Sequence, residues 1–268
     1  MTDRPLILIT GASAGIGAAL ARVYAANGWD LALAARREAP MVDLAKSLKA
    51  EHGCTSLILP ADLSDRAENE KLVKRVHAKG RKIHGLINNA GYGLPGTYDS
   101  QTWEAHQASL DLMLMGPCEL VHRVLPDMTA DGFGRIINVA SLAGHLPGSR
   151  GHTTYAAIKS YLIKFSQSLN LELGPDGVNV TALCPGFTYS EFHDVNGTRG
   201  AVSKMPDFMW KDSEFVAESG YAACEKGRAV HVTGGANKTI AALGKVLPDS
   251  VALALMRRNS EKFRKQDV

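Results

Sequence analysis

Apolar residues in this chain fall into short unbroken runs, separated by longer stretches in which they recur every three or four positions. Residues 6–9, 31–35, 56–59, 83–87, 136–139 and 178–183 are such runs, and 229–232 is a seventh candidate. A run of this length bounded by turn-formers is the pattern of a strand covered on both faces, as in a parallel sheet. Amphipathic spacing between the runs predicts helices over 16–27, 41–52, 67–79, 102–128, 154–173 and 212–226. Strict alternation of strand and helix implies right-handed crossovers, hence an α/β, doubly wound parallel sheet of about seven strands with helices on both faces. Ligands bind such a sheet at its carboxyl edge. One domain over 1–268 is expected. The one long irregular segment, 185–210, suggests a substrate lid, drawn broadly as 186–227.

Composition narrows the partner. The net charge is only +3 over 268 residues and Lys and Arg are dispersed, which suggests neither nucleic acid nor an anionic membrane and leaves a small molecule. Cys54, Cys118, Cys184 and Cys224 are far apart, form no CxxC or Cys/His pattern, and fit free thiols in a reducing, cytoplasmic setting with no metal site. The N-terminal apolar run is too short for a signal peptide and leads straight into a glycine turn. The C-terminal run 240–256 is broken by Lys245, Pro248 and Asp249 and should not span a bilayer.

The first strand runs into Thr10-Gly11-Ala12-Ser13-Ala14-Gly15-Ile16-Gly17, directly before the first predicted helix. Glycines here allow a tight turn and let backbone N–H groups approach a pyrophosphate at the positive helix end, the Rossmann-type arrangement. Gly11, Ser13, Gly15, Ile16 and Gly17 are therefore expected cofactor contacts. The same letters satisfy the G-x-S-x-G nucleophile elbow, but that fold draws part of its oxyanion hole from an earlier loop, and only ten residues precede Gly11 here. The second strand ends Ala35-Arg36-Arg37 with no carboxylate before Glu38. Two guanidiniums at that edge pair with a ribose 2′-phosphate, which favours NADP over NAD. Asp62 is placed to accept from an adenine amine, and Asn89, Ala90 and Gly91 are small or turn-forming residues against which a ribose could lie; all of these also suit ordinary turns.

Tyr155 and Lys159 stand four apart on a predicted helix and project from one face. A nearby ammonium should lower the phenol's pKa toward a useful range, and Ser141 could bring a hydroxyl to the same point, so the three form a candidate acid-base site.

Five motifs in order, TGASAGIG, NNAG at 88–91, INVAS ending at Ser141, YAAIK at 155–159 and Pro185-Gly186, make the chain resemble the short-chain dehydrogenase/reductases over about 10–188. The resemblance implies reversible hydride transfer between a nicotinamide and a carbonyl or alcohol. It casts Tyr155 as the acid/base, Lys159 as its tuner and a holder of the nicotinamide ribose, and Ser141 as the group positioning the carbonyl oxygen. Pro185, Gly186 and Thr188 would lie near the nicotinamide. The chain departs from the family where Met113 replaces a relay asparagine and Ile158 replaces a common serine.

Phe187, Tyr189, Phe192 and Trp210, with Tyr92, Leu94, His145 and Leu146 at the same sheet edge, suit a hydrophobic ketone or 3-oxoacyl-type substrate, or simply pack on the body. The resemblance also implies a homodimer or homotetramer through the helices at 102–128 and 154–173. A catalytically silent NADP-binding regulator of the same fold is the alternative function, and an epimerase or dehydratase the alternative chemistry.

Overall fold

The computed structural model describes residues 4–189, 206 and 209–263. Its strands are β1 (Leu6–Thr10), β2 (Asp30–Ala35), β3 (Ser56–Pro60), β4 (Gly85–Asn88), β5 (Gly134–Val139), β6 (Val178–Cys184), β7 (Phe187–Tyr189), β8 (Trp210–Asp212) and β9 (Val230–Val232). The helices are α1 (Gly15–Ala26), α2 (Glu38–His52), α3 (Arg66–His77), α4 (Trp103–Leu110), α5 (Gly116–Ala130), α6 (Thr153–Leu173), α7 (Ser213–Glu225), α8 (Gly235–Val246) and α9 (Asp249–Phe263). Seven strands form one parallel sheet in the order β3-β2-β1-β4-β5-β6-β9, so the chain changes direction across the sheet between β1 and β4. That is the doubly wound, Rossmann-type sheet expected, and the switch point opens a crevice at the carboxyl ends of β1 and β4.

The continuous apolar runs are explained by cover on both faces. One face of the sheet packs α1, α2 and α7 around Ile7, Ile9, Leu31 and Leu33, and the other packs α3, α5 and α6 around Leu6, Leu8, Leu86 and Ile136. Tyr24 on α1 is fully buried and meets Trp29 and Tyr221 edge-on, with centroids at 5.3 and 5.0 Å. A buried aromatic of this kind is worth about 3–5 kcal/mol, and here it locks α7 onto α1.

One expectation changes. The helix predicted over 102–128 is divided into α4 and α5 by a π turn at Asp111–Met115. Gly116 N donates to Asp111 O five residues back, and Pro117 has no N–H to bond the Met113 carbonyl, so regular i→i−4 bonding fails at this point. The stretch drawn as a lid, 186–227, contains regular elements. Within it, β7 and β8 pair as a small parallel sheet, and α7 buries Val216, Ala217 and Cys224 against the core. Residues 190–205, 207 and 208, which carry Phe192, Met205 and Phe208, lie outside the described residues. The C-terminal run 240–256, read only as too broken to span a bilayer, forms most of α8 and α9, and no helix among the described residues is long and apolar enough to cross a membrane.

Candidate active site

At the crevice, the β1–α1 turn is held by side chains from β4. Thr10 Oγ1 donates to Ile87 O (3.1 Å) and accepts from Asn89 N (3.0 Å) and Ala90 N (3.1 Å). Asn89 Nδ2 donates to Thr10 O (3.0 Å) and Gly11 O (3.1 Å). The Asn89 amide, expected as a cofactor contact, is thus committed to bracing the turn. Gly11 and Gly15 have φ of +67° and +54°, a region costly for side chains with a Cβ. Gly17 is needed for close approach instead: a Cβ there would overlap the Gly11 carbonyl oxygen and lie 2.5 Å from Asn89 Nδ2. Gly17→Ala is expected to cost about 1–3 kcal/mol, seen as a lower melting temperature. An unchanged melt would mean that the turn relaxes and the packing is not tight.

Beside this cradle, Arg36 and Arg37 are exposed at the end of β2, and Arg37 Nη2 donates to Ser13 Oγ at 3.4 Å. Asp62 was expected to accept from an adenine amine. Its Oδ1 accepts from Ser64 N (3.1 Å) and Ser64 Oγ (2.7 Å), and the Ser64 hydroxyl, with a smaller contribution from Arg36, holds its carboxyl below the usual range.

Further along the same edge, β5 ends at Val139 and delivers Ser141 as the cap of a short helical turn, Leu142–His145, where Ser141 Oγ accepts from Ala143 N at 3.1 Å. Gly144 lets this turn lie on α6, since a Cβ there would sit 2.7 Å from the Lys159 carbonyl carbon. From α6, Tyr155 is half-buried and hydrogen-bonded to the Ser141 side chain, while Lys159 is only 5% exposed. Lys159 Nζ donates to Val139 O at 2.7 Å and lies 5.5 Å from the Tyr155 ring centroid. Structure therefore brings the three sequence-predicted residues together.

Their acidities differ from expectation. Burial of its hydroxyl end pushes Tyr155 up to about 12, with Ser141 pulling the other way, and burial pushes Lys159 down to about 8. The anticipated lowering of the phenol by the ammonium does not enter this balance: burial sets the phenol's acidity, and the ammonium donates to the Val139 carbonyl. Pro185 and Gly186 follow β6: Pro185 O accepts from Leu142 N at 2.8 Å, and Thr188, 4% exposed, donates to Gly186 O at 3.2 Å. Sequence reasoning missed Asn237, whose buried amide fills the space that a Cβ on Gly186 would need and whose Oδ1 has no protein partner. Nothing in its local pattern, GGANKT, distinguishes it from a helix start.

A family model described as short chain dehydrogenase matches residues 5–199. The chain belongs to this family. A short-chain dehydrogenase from Sphingobium yanoikuyae in complex with NADPH superposes with a TM-score of 0.79 at 31% identity, covering 98% of each chain. The bulky-bulky ketone specific alcohol dehydrogenase from Comamonas testosteroni superposes at 0.76 with 28% identity, covering 100% of this chain and 98% of its own. The ketoacyl reductase HetN from a Nostoc species is 32% identical over 181 residues, which is 68% of this chain and 62% of that protein.

As a short-chain dehydrogenase the chain is an oxidoreductase of a nicotinamide-using family, and the Gly11–Gly17 cradle at the start of α1 suits the pyrophosphate of such a cofactor. No group of His, Cys, Asp and Glu among the described residues is arranged to hold a metal ion. The departure at Met113 is built in: the side chain is 1% exposed, packs with Ile158, Leu162 and Ala182, and has its Sδ 2.9 Å from where a Cβ on Gly91 would lie. A thioether sealed there cannot donate a hydrogen bond to a water chain.

Proposed function

We propose that this short-chain dehydrogenase reduces apolar ketones with NADPH. The reading rests on one arrangement, the buried Lys159 beneath a Tyr155 phenol that is hydrogen-bonded to Ser141. When bound, the nicotinamide supplies the hydride to the carbonyl carbon. This chain supplies the rest. Ser141 donates a hydrogen bond to the carbonyl oxygen, and Tyr155, a neutral phenol at pH 7 that burial makes still harder to ionise, donates the proton that completes the alcohol. Lys159 steadies the resulting phenolate and holds a ribose hydroxyl. Arg36 and Arg37, exposed beside Ser13 with no acidic side chain before Glu38, favour a 2′-phosphate.

Apolar character on the substrate side is supported by an aromatic wall on β7 and β8, where Trp210 lies 5.5 Å from Phe187 and stacks on Tyr189 at 4.7 Å. The likeness to a reductase specific for bulky ketones points the same way. Four cysteines without disulfides suit a reducing cytoplasm. The half-exposed Tyr161, stacked on Phe165 at 5.5 Å and 3.2 Å from Cys118 Sγ, offers a face on α5 and α6 for a homodimer or homotetramer.

An NADPH-oxidation assay over ketones of graded size tests this directly. NADPH should be preferred to NADH by about 10–100-fold in kcat/KM, the worth of one charge-assisted pair to the phosphate. Arg36→Ala should narrow that preference by about tenfold and leave NADH turnover unchanged. An NADH preference in the unaltered protein would refute the cofactor assignment, and NADPH binding without turnover of any ketone would favour the silent regulator.

A further inference from the structure

Twelve large apolar side chains are exposed among the described residues, and five of them fall within one stretch: Leu243 (51%), Val246 (76%), Val251 (45%), Leu253 (50%) and Leu255 (50%). They belong to α8 and α9, well apart in sequence from the catalytic residues. The inner face of α8 is settled by Asn237 and Ala241, at 2% and 4% exposure, and by Gly244, where a Cβ would lie 2.7 Å from His145 O. At about 100° per residue, Ala242, Leu243 and Val246 face the opposite way. Lys238 and Lys245, seven positions apart and both exposed, line one edge of that outward face. On α9, Ala252 is buried at 4% while Val251, Ala254 and Leu255 border an open groove of about 460 Å³.

Charge follows the same stretch. Residues 235–268 hold seven Lys or Arg against three Asp or Glu, a net +4, so the first 234 residues carry −1 of the chain's +3. The dispersal inferred from the whole sequence conceals this imbalance. We propose that α8 and α9 form a peripheral docking surface for an anionic lipid bilayer, lying in the interface with Leu243, Val246, Val251 and Leu255 in the acyl boundary and the lysines toward the headgroups. A second copy of the chain is the rival occupant. In a two-fold interface, however, this patch meets itself and sets Lys238 and Lys245 against like charges, whereas an anionic bilayer has the complementary sign. The surface does not cross the membrane, and the inner side of α8 rests on the Leu142–His145 turn that begins at Ser141, so docking would bring the catalytic loop close to the lipid.

Sedimentation of the full chain with phosphatidylglycerol or phosphatidylcholine vesicles tests the proposal. Binding is expected to phosphatidylglycerol and to be largely lost at about 0.5 M salt, where charges are screened within a few ångströms. The double variant Leu243→Glu/Val246→Glu, altered only at exposed positions, should lower the bound fraction about tenfold or more while melting like the parent. Lys238→Glu/Lys245→Glu should weaken binding to phosphatidylglycerol as well. Equal binding to the two lipids, no binding to either, or unaltered binding by the apolar variant would overturn the assignment. A drop in the apolar variant's mass by light scattering, to a smaller oligomer, would give the face to a second copy and overturn it too.

Discussion

Replacing Tyr155 with Phe is expected to lower kcat for ketone reduction by about 10²–10⁴-fold while leaving NADPH affinity within a few-fold of the parent. The substitution removes one oxygen and keeps the ring, so the neighbouring His152, at 6.2 Å between centroids, and the α6 backbone should stay in place. In the proposed assignment the nucleotide would be held elsewhere, by the Gly11–Gly17 turn and the Arg36–Arg37 edge, so binding should survive. What disappears is the proton. Burial keeps the phenol protonated up to about 12, so in the parent this donor is fully charged with its proton throughout the neutral range. The remaining hydroxyl, on Ser141, can orient a carbonyl but is an alcohol, far too weak an acid to replace the phenol as proton donor. Stopped-flow measurement of hydride transfer, beside fluorescence titration of NADPH, separates the two effects. A loss smaller than about tenfold would place the general acid on another group.

How much of this was legible beforehand follows from the physics of each feature. The strands of the main sheet could be read because burial on both faces forces continuous apolar runs, most fully in β1, β2 and β4, where every position is buried. The glycine turn was legible because a positive φ and a carbonyl in near contact leave few residue choices. The bracing of the turn by the Asn89 amide was not legible, since a sequence does not show which backbone carbonyls a side chain reaches. The break at Asp111–Met115 was hidden because DLMLM keeps helical spacing and the cause, Pro117, acts through an amide missing from the next turn. Strands β7 and β8 are three residues each with polar Thr188 and Lys211 at their centres, so neither forms an apolar run. Least legible was the balance of acidities. Four residues of spacing place an ammonium near a phenol, yet the outcome depends on how completely both are dried and on a carbonyl 20 positions earlier that claims the lysine.

That balance yields the other large effect, at Lys159. Lys159→Met should lower kcat/KM for NADPH by about 10²-fold or more, through loss of the charge beside the phenol and of the ribose contact proposed for it. The pH dependence is more diagnostic than the size. Burial moves the lysine from its ordinary 10.5 down to about 8 in the protein without substrate, the state that kcat/KM for NADPH reports. Below that value the ammonium is present and the parent should be fully active. Above it the proton leaves, and kcat/KM should fall by about tenfold per pH unit, well before Tyr155 itself titrates. Lys159→Arg keeps its charge, so whatever activity it retains should show no inflection near pH 8. A purely structural lysine predicts something else. A neutral amine still donates to the Val139 carbonyl, so the brace between α6 and the end of β5 would persist above pH 8 and the profile of the parent would stay flat. A flat profile to about pH 10 would therefore make Lys159 a positioning residue that acts through the backbone of β5, and the phenolate would have to find its counter-charge in the cofactor ring alone.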